Sequence, residues 1–173
     1  AYPVSKSLVK RAETAKNRQS IVLSAESAEQ TKTGLQKKPL EKAEQFSNEW
    51  ILEEELTARI EAGFPVFGKQ LHLYRRNGEY GRQYVIPIGR LDLFCEDADG
   101  NLYVIELKKD GGYGDAYAQL AAYLDWFQKS KRFSKHSASG ILCVNHPSPQ
   151  LLQKVHADAR MHLYEYQISY TER

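Results

Sequence analysis

Alternating apolar and polar positions predict a β-hairpin in the middle of the chain. Two runs alternate in this way, at 91–95 and 102–107, and an Asp99-Gly100 pair lies between them. Asp-Gly between two alternating runs is a strong local signal for a hairpin turn. The remaining elements are therefore expected to pack around this hairpin.

The type of turn decides which side chains meet across the hairpin. A two-residue turn would place Asp92 opposite Leu107, so that the two acidic residues would lie on different faces. A three-residue loop that ends with Gly100 in the left-handed conformation places Asp92 opposite Glu106. We predict the three-residue loop. Lys108 then lies on the same face as both acids, because successive side chains of a strand alternate.

Two carboxylates and one ammonium on one face are typical of a metal site. Carboxylates at cross-strand distance repel each other, and their burial is costly unless a cation lies between them. Oxygen ligands with room for water suit Mg²⁺ or Mn²⁺. A neighbouring lysine can stabilise charge on a phosphate or orient an attacking water. The competing interpretation is an exposed edge hairpin whose charged residues form a solvated ion pair.

The patterns on either side of the hairpin predict an α/β fold. Apolar residues at helical spacing, among them Trp50, predict helices at 39–62, 115–129 and 149–161. Short apolar runs predict further strands at 64–67, 69–75, 80–88, 140–145 and 162–170. The last strand, helix and strand imply a parallel crossover. We therefore predict a central mixed β-sheet flanked by helices.

Residues 1–45 differ in composition from the rest of the chain. They carry nine Lys or Arg and five Glu, whereas the remaining 128 residues carry 15 basic and 17 acidic residues. Helical segments are predicted at about 5–18 and 24–31. We predict a basic, partly helical N-terminal arm at 1–45 and a main domain at 46–173. The arm either packs on the core, mediates oligomerisation or binds a partner.

Length and composition limit the class of protein. A chain of 173 residues is long enough for one domain with a sizeable core. No apolar run is long enough to span a membrane, and no signal-peptide pattern is present, so no membrane partner is expected. Cys95 and Cys143 lie within apolar runs, which favours reduced core thiols and a cytoplasmic protein. The first residue is not methionine, as in a processed or excised piece.

Several motifs of this chain together resemble the PD-(D/E)xK nuclease superfamily. They are Gly89-Arg-Leu-Asp92, Asp99-Gly100, Glu106-Leu-Lys108-Lys109 and Gln119-Leu-x-x-Tyr123. Within that superfamily, residues 46–170 are most similar to the catalytic domain of the mismatch-specific endonucleases NucS and EndoMS. Arg90-Leu91 stands where the superfamily name has a proline. No segment resembles the separate N-terminal dimerisation and DNA-binding domain of those enzymes, so the resemblance concerns nuclease chemistry rather than mismatch specificity.

The resemblance implies a restriction-endonuclease-like core and a role for each matching residue. Asp92 and Glu106 are implied as ligands of Mg²⁺ or Mn²⁺, and Lys108 as the catalytic lysine. Gln119 and Glu53 are implied as accessory catalytic residues, Glu53 through a helix motif, Glu49-x-x-Leu-Glu53-x-x-Leu, that resembles the first helix of the family.

The expected function is that of a metal-dependent nuclease that hydrolyses phosphodiester bonds in DNA. The basic residues expected to hold the phosphate backbone are Arg75, Arg76, Arg90 and Lys109. Expected partners are nucleic acid, a second copy in a homodimer, and an inhibitor or larger complex. Two alternatives stay open: a catalytically silent nucleic-acid-binding or assembly module, and the nuclease toxin or effector domain of a defence or secretion system.

Overall fold

A computed structural model describes residues 9–12, 18–24, 40–109 and 116–169 of the chain. Within these ranges the helices are α1 (Leu40–Glu61), α2 (Ala116–Lys129) and α3 (Pro149–Ala157). The strands are β1 (Val9–Ala12), β2 (Arg18–Ser24), β3 (His72–Leu73), β4 (Arg75–Arg76), β5 (Glu79–Tyr80), β6 (Arg82–Ile86), β7 (Gly89–Glu96), β8 (Leu102–Lys108), β9 (Ala138–Val144) and β10 (Met161–Ser169). No helix of the described ranges is suited to crossing a bilayer.

The strands form one mixed sheet and one short hairpin. The sheet has the order β1-β2-β10-β9-β8-β7-β3, and β6 also pairs with β7. Its centre is parallel, from β8 through β9 and β10 to β2, whereas β7 is antiparallel to β8, β6 and β3. The crossover from β9 through α3 to β10 is parallel, as predicted. These features confirm the α/β fold with a central mixed sheet flanked by helices.

Both faces of the sheet are covered, so there are two clusters of buried side chains. The α2 cluster includes Leu91, Phe94, Val104, Leu120, Leu124 and Phe127. The α1 cluster includes Leu52, Leu56, Ile60, Leu93, Cys95 and Ile105. Strand β8 is buried along residues 102–107 because it contributes side chains to both clusters. Cys95 and Cys143 are free and buried, as expected.

Helix α1 buries a stripe of apolar residues at four-residue spacing. Leu52, Leu56 and Ile60 are at most 2% exposed. The helix ends before Gly63, which has a φ of 76° and is followed by Phe64, whose N–H donates to the Arg59 carbonyl. A left-handed glycine of this kind commonly ends a helix. Trp50 was predicted on the apolar face, but it is 58% exposed, because it lies outside the buried stripe.

The central hairpin has the predicted loop. Leu93 pairs with Ile105, and this register continues to the Asp97 N–H, which donates to the Asn101 carbonyl at 3.0 Å. Gly100 has a φ of 79°, and its N–H donates to the Asp97 carbonyl at 3.1 Å. The loop therefore contains three residues and ends with a left-handed glycine. The last pair of this register is Leu93 with Ile105, so Asp92 and Glu106 are the next residues beyond it on the two strands.

The predicted alternation of faces along β7 is interrupted at Asp92. Leu91, Leu93 and Cys95 were expected on one face, but Leu91 packs in the α2 cluster and the other two pack in the α1 cluster. Beside Asp92, on strand β6, Gln83 has a φ of 51°, an unusual value for a residue other than glycine. Strict alternation would place Leu91 and Leu93 on the same face, and the alternation breaks at Asp92, beside this unusual position of β6.

The N-terminal segment is extended where it is described. A helix was predicted at about 5–18, but residues 9–12 and 18 are in strands β1 and β2. Strand β1 pairs with β2, which in turn pairs in parallel with β10 from Arg18 to Ser24, and this pairing overrides the local preference for helix at 9–12. The rest of the segment 5–18, and residues 25–31 of the second predicted helix, lie outside the described residues. The division at residue 45 stays a prediction, and α1 runs across it.

The region between α1 and β6 has less strand than predicted. Residues 64–67 and 69–75 were expected to be extended, but they hold only the bridge between Val66 and Lys69 and the short strands β3 and β4. Asn77 and Gly78 form the turn between β4 and β5, with φ values of 53° and 82°. Two successive positive φ values are what a two-residue hairpin turn requires.

Candidate active site

The site lies where β7 and β8 separate, and Asp92 occupies the branch point. Its Oδ2 accepts the N–H of Leu107 at 2.8 Å, in place of a backbone carbonyl of the neighbouring strand. This bond fixes the orientation of the carboxylate from one side. Oδ1 is left facing the β6 side of the site, where the side-chain amide of Gln83 is 3.4 Å away.

Glu106 is the most deeply buried acidic residue of the site. The residue is 1% exposed, and its Oε1 accepts a hydrogen bond from Lys108 Nζ at 2.7 Å. Its Oε2 is also buried and accepts no hydrogen bond from any described residue. Burial, followed by the negative charge of Asp92, raises the pKa of Glu106 to about 7.

The protonation equilibria of Asp92 and Lys108 follow from the same surroundings. Burial raises the pKa of Asp92, although the Leu107 N–H and the charge of Lys108 oppose this. Burial alone would lower the pKa of Lys108, but the charges of Glu106 and Asp92 raise it above its ordinary value. Lys108 is therefore an ammonium group at neutral pH, and one ammonium faces two carboxylates.

Helix α1 places Glu53 beside Gln83 and Asp92. Glu53 accepts hydrogen bonds from Arg82 Nε at 2.6 Å and from Gln83 Nε2 at 2.5 Å. The amide of Gln83 therefore lies between the carboxylates of Glu53 and Asp92. Arg82 also pairs with Glu54 at 2.7 Å, so that β6 holds two successive glutamates of the helix.

A second residue of α1, Glu49, lies one helical turn before Glu53. Its Oε1 accepts the backbone N–H of Lys109 at 2.9 Å, which ties the helix to the end of β8. The carboxylates of Glu49, Glu53 and Asp92 border a cleft of about 510 Å³ that we call the site cleft. It is lined by Glu49, Trp50, Glu53, Tyr80, Arg82, Gln83, Arg90, Asp92 and Leu107.

Gln119 lies beside the site but contacts it through another residue. Its Nε2 donates to Tyr123 Oη at 2.9 Å, and that hydroxyl donates to the Arg90 carbonyl at 3.3 Å. A Cβ at Gly89 would lie 2.5 Å from the same hydroxyl, so the absence of a side chain there gives Tyr123 access to β7. The structure thus links Gln119 to the backbone of β7 two residues before Asp92. Residues 110–115, between β8 and α2, lie outside the described residues.

The residues predicted to bind phosphates have different positions. Arg90 is exposed and lines the site cleft. Arg75 lies 4.5 Å from the ring of Tyr80, a cleft residue, and pairs with Glu61 at 2.6 Å. Arg76 pairs with Glu96 at 2.9 Å, at the far end of β7. Arg90 therefore lines the cleft, Arg75 contacts one of its lining residues, and Arg76 pairs at the far end of β7.

The sequence analysis did not identify Gln83, Arg82 and Glu49 as residues of the site. The sequence does contain a signal for Glu49, because residues four apart on a helix share a face and Glu49 precedes Glu53 by four. The other two have no such signal. Gln83 reaches Glu53 and Asp92 from a backbone with a φ of 51°, a conformation that a strand pattern does not predict.

The donor set of the site suits a hard divalent cation. Two neighbouring carboxylates have raised pKa values, and a buried Glu106 oxygen has no hydrogen-bond partner among the described residues. A cation between Asp92 and Glu106 would offset the burial of their negative charges and would give the unpartnered Glu106 oxygen a ligand. Within the described ranges no group of three or more His, Cys, Asp or Glu side chains is arranged to coordinate a metal ion. Two carboxylates would leave further ligand positions to water and substrate oxygens, as is usual for Mg²⁺.

Comparison with known proteins identifies similar sequences and structures. Residues 73–169 match the model of the family described as the endonuclease NucS C-terminal domain. A protein named endonuclease NucS from Parafrankia sp. (strain EAN1pec) is 38% identical over 69 residues, which are 40% of this chain and 30% of that protein. The protein of the same name from Mycobacteroides abscessus is 33% identical over 69 residues, 40% of this chain and 28% of that protein. The matched segment thus spans less than a third of these relatives.

Two solved structures are also similar. A repair endonuclease from Pyrococcus abyssi has a TM-score of 0.47 at 16% identity, over 82% of this chain and 50% of that one. The structure of an EndoMS–dsDNA complex has a TM-score of 0.45 at 18% identity, over 86% of this chain and 50% of that one.

Proposed function

Because this chain belongs to the family of the endonuclease NucS C-terminal domain, we propose that it is a metal-dependent endonuclease that hydrolyses phosphodiester bonds in DNA. The observation that carries the proposal is the buried pair of Asp92 and Glu106, with a pKa of about 7 for Glu106 and Lys108 Nζ 2.7 Å from it. A pair of this kind is costly to a fold, and a metal-binding role accounts for it. DNA is the substrate that the motifs of the chain imply.

The ligands in this proposal are Asp92 and Glu106, and the ion is Mg²⁺ or Mn²⁺. When bound, such an ion polarises a phosphate oxygen and lowers the pKa of a coordinated water. Asp92 is oriented for this role by the Leu107 N–H. Glu106 is held by Lys108 through Oε1, so its buried Oε2 is available to a ligand.

The other residues of the site position the substrate and the ligands. Lys108 stays positively charged and stabilises negative charge that develops on the phosphate. Glu53, anchored by Arg82, holds the Gln83 amide against Asp92 and so acts as a positioning residue. Arg90, exposed in the site cleft, binds the phosphate backbone of the DNA without reading its sequence.

Cleavage of a supercoiled plasmid tests the proposal. We expect nicked or linear product in Mg²⁺ or Mn²⁺ and none in EDTA, and a single-stranded RNA of matched length should be cut poorly. Asp92→Ala and Lys108→Ala should abolish cleavage. Glu96→Ala, at the other end of the same strand, is the control and should leave it unchanged, because Glu96 pairs with Arg76 outside the cleft. Circular dichroism would verify that each variant is folded.

Three results would contradict the proposal. Cleavage that continues in EDTA would show that the chemistry needs no divalent cation. Normal cleavage by Asp92→Ala or Lys108→Ala would place the active site elsewhere. DNA binding without cleavage in any metal would favour the catalytically silent binding module.

A further inference from the structure

Trp50 is the largest exposed side chain at the mouth of the site cleft. It is 58% exposed although it belongs to a helix whose apolar stripe is almost completely buried. Trp50 lies between Glu49 and Glu53, the two α1 residues that border the site, and lines the same cleft as Asp92. An aromatic ring left in water beside a reactive centre is a frequent sign of a binding surface.

The surroundings of Trp50 indicate the chemistry of what it binds. Arg90 and the ring of Tyr80 line the same cleft, whereas the charge of Arg82 is paired with Glu53 and Glu54. The Arg90 guanidinium, together with a divalent cation held by the acidic residues of the site, favours a phosphate, and an exposed aromatic face favours a flat, uncharged ring. A nucleotide has both of these groups, whereas an aliphatic or acidic peptide would match one of them at most.

We propose that Trp50 is a stacking platform for a nucleobase next to the phosphate that lies at Asp92 and Glu106. This inference rests on the proposed nuclease function and adds a binding site to it. Along a helix, Trp50 is three residues, or about 4.5 Å, from Glu53, so the platform is one turn from the carboxylates. Every base has a flat face, so the contact selects no sequence.

The proposal defines the class of substrate that the cleft accepts. A base inside an intact duplex is stacked on both faces, so it has no free face for Trp50. A base in a single strand, a gap or an unpaired position has a free face. The site cleft should therefore hold a single-stranded or unpaired nucleotide more tightly than a paired one of the same sequence.

Fluorescence of a protein with one tryptophan tests this directly. The chain has two tryptophans, and Trp126 packs against Phe127 and Phe133 in the α2 cluster. Trp126→Phe therefore leaves Trp50 as the sole reporter. With the further substitution Lys108→Ala, which is expected to prevent cleavage, and with Mg²⁺ present, we expect single-stranded oligothymidylate to quench this emission. An oligonucleotide of the same length with abasic sites carries the same phosphates and should quench far less.

Affinity measurements on variants that keep Trp126 complete the test. Trp50→Ala should weaken binding of the single-stranded oligonucleotide about 5- to 100-fold, the range that loss of one stacked base gives, and Trp50→Phe should retain most of the affinity. Phe64→Ala is the matched control. Phe64 is 55% exposed but is not among the residues that line the cleft, so its loss should leave affinity unchanged.

The outcomes separate this inference from the proposed function. Equal affinity of Trp50→Ala and wild type, or equal quenching by abasic and normal strands, would overturn the platform even if the protein cleaves DNA. Tighter binding of a duplex than of the single strand would overturn the substrate class. Quenching by normal strands with no cleavage in any metal would support the platform while the nuclease function failed.

Discussion

Replacement of Glu106 by glutamine measures the cost of the buried charge. Burial and the charge of Asp92 raise the pKa of Glu106 from 4.5 to about 7. Between these pH values the folded protein keeps a proton that the unfolded chain releases, so wild-type stability falls as the pH rises. Each pH unit of this window costs about 1.4 kcal/mol, and the whole window about 3 kcal/mol. Glutamine does not titrate, so the Glu106→Gln variant escapes this loss.

Urea unfolding of both proteins in EDTA, at intervals from pH 5 to 8, gives the required free energies. The stability of wild type minus that of Glu106→Gln should decrease as the pH rises toward 7 and level off above it. Asp92→Asn should change the pH dependence in the same direction, because burial also raises the pKa of Asp92. A difference that stays constant or increases over this range would refute the argument that Glu106 is an unfavourably buried charge.

Three further predictions concern the support of the site. Gln83→Ala and Gln83→Gly should both slow cleavage roughly tenfold, because Asp92 loses the amide beside it. In urea unfolding, the glycine variant should be more stable than the alanine variant by about 1 kcal/mol, since glycine accepts a positive φ. Phe94→Ala should cost about 3–5 kcal/mol in urea unfolding, because the ring is fully buried among other aromatic rings. Gly89→Ala should destabilise the fold by about 1–3 kcal/mol, because its Cβ would lie 2.5 Å from Tyr123 Oη, and Tyr123→Phe should recover part of that loss. Equal stability of the two Gln83 variants, a small effect of Phe94→Ala, or no recovery in the double variant would contradict the respective argument.

The sequence predicted the hairpin and its register because both depend on local chemistry. Asp-Gly selects a small set of turns, and the three-residue loop sets the register in which Leu93 pairs with Ile105, one residue before the two acids. Gly100 takes the left-handed conformation that this loop requires, with a φ of 79°. The short spacing from Glu106 to Lys108 then brings the ammonium within 2.7 Å of the carboxylate.

The features that were not predicted depend on contacts between distant segments. Strand β1 lies in the segment predicted as a helix at about 5–18, and it forms by pairing with β2, which pairs with β10 at the other end of the chain. Leu91 packs on the face opposite to the predicted one, and the break in alternation lies beside Gln83 of the neighbouring strand, which adopts a positive φ. Helical spacing placed Trp50 near the apolar positions, but only the packing of α1 shows that its ring faces the site cleft.

The central claim is that Asp92 and Glu106 together hold a divalent cation. Calorimetric titration of the protein with Mn²⁺ at pH 8, where Glu106 is ionised, measures this without any substrate. We expect wild type and the control Glu96→Gln to bind Mn²⁺ with similar affinity, and Asp92→Asn and Glu106→Gln to lose that binding. Mn²⁺ binding of the same strength in Asp92→Asn, or none in wild type, would contradict the claim.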